Sequence, residues 1–458
     1  MPKDIRRLRP IVSRWMSLRH WRSQIVFWIG GLVVGAVAVI VAGAADRVQD
    51  LFLTSVARVW WLPLVITPLG FALSALVART WFPGSQGSGI PQVIAGIDLV
   101  HRQPEALDRL VSLRIIVGKA ALLLLGLATG ASIGREGPTV QIGAAVMRLT
   151  GRVGGIVSDE SALLLAGGAA GVAAAFNTPL AGIVFAIEEL GKSFEQRTSG
   201  TVIFTVMLAG IASLAMVGDY SYFGHSTAIL QPVPDIEAVL ICGIGGGLLG
   251  GAYSRALIFA TRRMGSLFNG LIGRHRIVFA GVCGLLVAII GVFGGAHIFG
   301  TGYPQAKALL TGSREIPETF GVFKWLATLL STVCGIPGGI FAPSLATGAG
   351  VGADLHWLLP VAPLVTMALL GMVGYFSGVV QSPLTAFVIV MEMTNSHEMV
   401  IPLIATSILA YSASRLICPR PLYHSLARGF VREETRRAHQ PPADETPANE
   451  TPEPGKGA

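Results

Sequence analysis

The stretch GREGPTVQIG, Gly134 to Gly143, sets Arg135 beside Glu136 in a region made almost entirely of Ala, Leu, Ile, Val and Gly. A charged side chain at the centre of an apolar membrane helix costs roughly 2.5 to 3.5 kcal/mol, so such a residue marks an ion or proton path. At a helix N-terminus, unpaired N–H groups and a partial charge of about half an electron favour an anion by roughly 0.3 to 2 kcal/mol. A carboxylate there mimics an anion while ionised and vacates the position once protonated. The competing role for Glu136 is purely structural, a helix-start carboxylate paired with Arg135. A second acidic pair, Glu188 and Glu189, stands in AIEEL at 186–190. Adjacent helical residues point about 100° apart, so these two cannot share one role.

The elements that must position these groups are membrane helices. The 458 residues are 52% hydrophobic and 13% charged, with a mean hydropathy of +0.64, which lies outside the usual composition of a soluble globular protein. Apolar runs at Ile25 to Ala45, Ile115 to Ala131 and Ile277 to Phe299 have roughly the 17 to 25 residues that cross a bilayer as helix, and about ten such regions make the chain polytopic. The first run follows a basic leader, as a signal peptide would, but its apolar core exceeds the roughly 7 to 15 residues of a signal h-region and reads as an uncleaved span. Arg-rich segments near both ends predict cytoplasmic termini by the positive-inside rule. They account for the net charge of +8 through contact with anionic headgroups, with no nucleic-acid partner. Cys242, Cys283, Cys334 and Cys418 have neither CxxC nor Cys/His spacing, so they read as packing residues, with no metal site and no disulfide framework.

Internal similarity organises the chain. GSGIPQ at 87–92 returns as GTGYPQ at 300–305, GREGPTVQIGA at 134–144 as GIFAPSLATGA at 339–349, and TPLAGIVFAIEEL at 178–190 as SPLTAFVIVMEMT at 382–394, with offsets of 213, 205 and 204 residues. Two membrane repeats are therefore expected at 25–215 and 232–420. They are flanked by a basic cytoplasmic segment at 1–24, a C-terminal helix at 421–440 and a disordered polar tail at 441–458. Transporters commonly carry their substrate site where broken helices of two repeats meet. The Gly/Pro clusters fall inside the membrane-length regions, which predicts interrupted helices whose N-termini lie within the protein. Glycines at Gly87, Gly89 and Gly137 allow close approach of an ion to the backbone, and proline suits a first helical turn. Within the repeats Glu188 has a counterpart in Glu392, whereas Glu189 aligns with Met393. The symmetric pair points to the fold and the asymmetric Glu189 to function.

GSGIP (Gly87 to Pro91), GREGP (Gly134 to Pro138) and GGIFAP (Gly338 to Pro343), followed by PLY at Pro421 to Tyr423, resemble in order the signature motifs of the CLC chloride channel and transporter family. The resemblance covers most of the chain. It implies an all-α fold of about 18 helices in two inverted repeats with broken helices meeting at a central anion site, and a homodimer with one ion path per subunit. It further implies that the hydroxyls of Ser88 and Tyr423 and the backbone N–H groups of Ile340 and Phe341 hold chloride. Glu136 would be the gating glutamate, Glu189 the internal proton-transfer glutamate, and Lys119 a buried lysine of electrostatic role. The plainer roles are an N-cap for Ser88, an interfacial aromatic for Tyr423 and a structural charge partner for Lys119.

The function so implied is exchange of chloride for protons by a compact prokaryotic-type transporter without CBS modules, in the cell membrane and with no cofactor. Glu189 favours exchange over the alternative, a passive chloride channel. Serine at 88 resembles chloride-preferring members, where proline would suggest nitrate. An intramembrane enzyme finds little support: HEMVI at 397–401 lacks the second histidine of HExxH, QGSG at 86–89 has Gln86 where a rhomboid-type motif needs glycine, and no GxxxxGK[ST] occurs. A scaffold or receptor without transport leaves Glu136 and Glu189 unexplained.

Overall fold

The computed structural model describes residues 18–156, 159–191, 196–218, 222–224, 236–267 and 275–439. The described residues are all-helical apart from a single two-residue bridge. The first half contains α1 (Leu18–Arg58), α2 (Pro63–Thr80), α3 (Ile90–Leu99), α4 (Ala106–Leu110), α5 (Leu113–Ala128), α6 (Glu136–Val153), α7 (Glu160–Phe176), α8 (Pro179–Phe185, running into a π-helical turn at Ala186–Leu190) and α9 (Gln196–Val217). The second contains α10 (Ile236–Leu267), α11 (Arg276–Phe293), α12 (Tyr303–Leu310), α13 (Phe320–Val333), α14 (Phe341–Leu358), α15 (Leu364–Val380), α16 (Pro383–Thr394) and α17 (Val400–Ile417), and α18 (Leu422–Ala438) follows. Helix α1 begins at Leu18, inside the stretch read as a basic N-terminal segment. The predicted disordered tail lies outside the described residues.

Seven helical stretches among the described residues are long and apolar enough to cross a membrane, fewer than the ten or so regions expected from hydropathy. The difference comes from glycine and proline. Helices α3, α7, α13, α15 and α16 are apolar but run only 10 to 17 residues, because each is cut by a turn that hydropathy averaging passes over. Asn177 after α7 and Gln381 after α15 both adopt the left-handed conformation that ends a helix, and Pro179 and Pro383 then open α8 and α16.

Packing runs in parallel through the two halves. Helix α6 lies on α7 as α14 lies on α15, and α1 lies on α9 as α10 lies on α17. Small residues permit the close approach: a Cβ at Gly143 would collide with the Gly167 carbonyl, and one at Gly348 with that of Gly371. Helices α6 and α14 are buried over most of their length, including both N-termini. The core therefore surrounds two interrupted helix starts, each with backbone donors lacking intrahelical partners.

Candidate functional site

Three glycine-rich loops are tied to one another in front of those helix starts. Gly134 and Gly339 exchange two backbone hydrogen bonds, 2.7 Å each, and the Gly338 N–H donates to the Gly87 carbonyl at 3.1 Å. Gly87 (φ +64°) and Gly89 (φ +106°) hold the left-handed backbone needed to enter α3. Two motifs 205 residues apart thus share a bridge, and the third is fastened alongside.

Glu136 opens α6 with 0% exposure. Its Oε2 accepts a hydrogen bond from the Ala342 N–H at 3.3 Å, in the first turn of α14, and its Oε1 is buried with no hydrogen-bond partner. The carboxylate therefore occupies an anion position at the start of another helix. Gly134 makes room for it, since a Cβ there would overlap Oε2 and Pro343. Arg135 does not pair with it. The buried guanidinium donates to the Ala42 carbonyl at 2.9 Å, forms an ion pair with Asp46 and hydrogen-bonds the Tyr222 hydroxyl. Asp46 is 58% exposed, so the cation is anchored outward. The simple Arg135–Glu136 pair fails as an account of Glu136.

Ser88 and Tyr423 line one cavity of about 380 Å³ together with Ile340, Thr332, Arg262 and Arg276. Among the described residues, the Ser88 and Tyr423 hydroxyls are buried beside each other with no other hydrogen-bond partner. Each hydroxyl can rotate its proton toward a group held in that cavity. Gly137 lies directly against Ser88 Oγ, where a Cβ would overlap it. Ile340 and Phe341 form the start of α14. The Phe341 ring packs on Phe376 (centroids 5.0 Å), Phe185 (5.9 Å) and Tyr423 (6.0 Å), which fixes both the helix start and the tyrosine.

Lys119 is fully buried, and its ammonium donates to the carbonyls of Ser85 (2.8 Å) and Gly87 (2.6 Å). No carboxylate pairs with it among the described residues, so it is a clamp on the Gly87 loop and not a charge partner. Glu189, on the π-helical turn, is 3% exposed; its Oε2 accepts from the Ser382 hydroxyl at 2.5 Å. Glu188 leaves that site and bonds to the backbone of α16. The structure thus gathers Glu136, Ser88, Tyr423, Ile340, Phe341, Gly87, Gly89, Gly137 and Lys119 around connected loops. Glu189 lies beside the α15–α16 turn, close enough to Tyr423 for the two to interact electrostatically.

The family model of the voltage gated chloride channel matches residues 69–415. The chain belongs to the voltage gated chloride channel family. Among its relatives, the H(+)/Cl(-) exchange transporter ClcA of Yersinia pestis is 32% identical over 459 residues, covering 93% of each chain. The transporter of the same name from Salmonella typhimurium is 32% identical over 464 residues, covering 96% of each. The fold of this family member resembles that of a slow cyanobacterial Cl-/H+ antiporter (TM-score 0.77, 24% identity, 91% of this chain and 99% of that one). It also resembles a CLC-type fluoride/proton antiporter (TM-score 0.75, 21% identity, 89% and 99%).

Sequence reading passed over several partners in this family member. Lys324 sits fully buried in α13, donating to the carbonyls of Ile298 (2.8 Å) and Gly300 (2.7 Å) as Lys119 does to its own loop. The offset of 205 from Lys119 would have found it. Asp46 and Tyr222, which hold Arg135, come from distant segments that no local pattern connects.

Proposed function

We propose that this chain is a secondary transporter that exchanges chloride for protons. The observation that carries the reading is Glu136: a wholly buried carboxylate with no salt-bridge partner among the described residues, lying at the starts of α6 and α14. Its ionised form competes with chloride for the donors of α14. Protonation removes the charge, releases the helix start and moves one proton with the side chain. Chloride is received by the Ser88 and Tyr423 hydroxyls and the N–H groups of Ile340 and Phe341, a donor set without a full cation clamp, from which an anion can leave as well as enter. Arg262 and Arg276 add positive potential along the same cavity. Glu189 takes protons from the cytoplasmic side.

The two halves, 25–215 and 232–420, are repeats of one unit in opposite orientation. The parallel helix order and matching offsets support the repetition; the opposite orientation is what the family resemblance implies. Both termini are cytoplasmic on the positive-inside argument, the chain is embedded in the bilayer of the cell membrane, and the working unit is a homodimer with one path per subunit. Exchange is favoured over passive conduction by the second buried carboxylate, Glu189, and by relatives named as exchangers. The test is chloride-driven proton uptake into proteoliposomes of the purified protein. Uphill proton movement that follows the imposed chloride gradient is expected; chloride flux with no proton movement would return the passive channel to first place.

A further inference from the structure

Glu189 is buried, yet one of its oxygens is unsatisfied. Oε2 accepts from Ser382 Oγ, while Oε1 has no hydrogen-bond partner. The imidazole of His424 lies beside that oxygen, its Nδ1 3.5 Å away and also without a hydrogen-bond partner among the described residues. Two polar atoms without hydrogen-bond partners among the described residues face each other across a gap that a small side-chain rotation closes. His424 is 23% exposed against 3% for Glu189, so the imidazole reaches from the molecular surface to the buried acid.

We propose that His424 is the relay that carries protons between the cytoplasmic solution and Glu189. The inference rests on the reading of Glu189 as a proton carrier and adds the group that loads it. A proton from cytoplasmic water adds to the bare nitrogen of the neutral imidazole. The imidazolium then gives its Nδ1 proton to Glu189 Oε1: the N–H bond breaks, the O–H bond forms, the ring returns to neutral and the carboxylate becomes the acid. Exchange through water or a ring flip restores the proton to Nδ1, and nothing else is consumed. Histidine suits the task because one ring nitrogen can accept a proton while the other donates one. The first turn of α18 places His424 next to Tyr423, with the two side chains about 100° apart. One helix start therefore carries a group of the anion cavity and a group of the proton route.

Other charged groups on the surrounding elements are Glu188 of the π-helical turn, Asp98 of α3, Arg255 and Arg262 of α10, and Arg420 and Arg428 flanking His424. Of these, Glu188 is engaged with the α16 backbone and Arg262 with the Ser425 carbonyl at 3.1 Å. Among the described residues, Glu189 is the carboxylate within ion-pair distance of His424.

The experiment compares wild type, His424→Ala, His424→Gln and Glu189→Gln in proteoliposomes, measuring chloride-driven proton uptake and chloride flux, with and without imidazole on the cytoplasmic face. Both His424 variants are expected to lose about tenfold in proton uptake while passing chloride. Imidazole should restore uptake in His424→Ala, a rescue that a merely structural histidine would not give. Unchanged uptake in both His424 variants, or a loss that imidazole leaves uncorrected, would overturn the relay. If Glu189→Gln uncouples while the His424 variants behave normally, only the relay fails. Normal coupling in Glu189→Gln removes the reading beneath it.

Discussion

Glu188 and Glu392 cap each other's half of the molecule. Glu188 accepts hydrogen bonds from the N–H groups of Leu384 (3.1 Å) and Thr385 (2.6 Å) at the start of α16, and Glu392 accepts from Leu180 (3.3 Å) and Ala181 (2.7 Å) at the start of α8. Each carboxylate thus satisfies orphan donors and the positive end of the opposing helix. Replacing either with glutamine keeps the size but loses the charge. We expect a loss of roughly 0.5 to 2 kcal/mol from each substitution, read as lowered thermal unfolding in detergent, with the proton-to-chloride ratio unchanged in surviving protein. An altered ratio in Glu188→Gln at normal stability would contradict the capping role.

Glu136 is the group whose two protonation states differ most in what they allow. Its carboxylate bonds to the Ala342 N–H with Oε1 left over. Glu136→Ala and Glu136→Gln should both retain chloride flux, lose its dependence on external pH and abolish chloride-driven proton uptake. Alanine removes the competing group, and glutamine holds a permanently neutral one. Measuring both fluxes in liposomes decides the matter, and proton pumping retained by either variant would sink the gating assignment.

The contrast between these two acids explains how much was legible beforehand. The Glu188–Glu392 symmetry could be read from the 204-residue offset, and the helix-start chemistry around Glu136 from Gly and Pro placed inside apolar runs. These are local patterns with a fixed physical meaning. The interruptions are legible in the Gly/Pro clusters, but the number of full-length spans is not, because hydropathy averages across a buried turn such as Asn177 to Pro179. The destinations of Arg135 and Glu189 were invisible for another reason. Asp46, Tyr222, Ser382 and His424 lie 87 to 235 residues away in sequence, and only the folded chain brings them to those side chains. The π-helical turn, marked by the Gly191 N–H reaching the Ala186 carbonyl, has no signature that would separate it from ordinary helix.

Lys119 and Lys324 offer a test that separates structure from anion handling. Both ammonium groups are buried against two loop carbonyls, and leaving a buried carbonyl unpaired costs roughly 1 to 3 kcal/mol. Lys119→Met and Lys324→Met should therefore lower stability to a similar degree. Only Lys119 holds the loop leading into Ser88, so only Lys119→Met should also weaken chloride binding, read by isothermal titration of the purified protein. Equal effects of both substitutions on chloride affinity would mean that the clamps act through the fold alone.

Ser88 is the residue from which anion preference should be adjustable. Its hydroxyl is buried beside that of Tyr423 and seated against Gly137, so it offers a donor to an ion in the cavity the two share. A directed hydroxyl favours small chloride, whose charge is concentrated, over planar nitrate, which forfeits less when a donor is lost. Ser88→Pro removes both the hydroxyl and the residue's backbone N–H, and Ser88→Ala removes the hydroxyl alone. Preference for nitrate over chloride should rise in both, more in the proline variant, as read by competition between the two anions in a flux assay. The alanine variant guards against a misfolded proline one, since it leaves the loop backbone free to keep its shape. An unchanged selectivity ratio in a folded Ser88→Ala protein would leave selectivity to the backbone donors of Ile340 and Phe341, since Gly89 and not Ser88 is the N-cap of α3 and no side chain caps that helix.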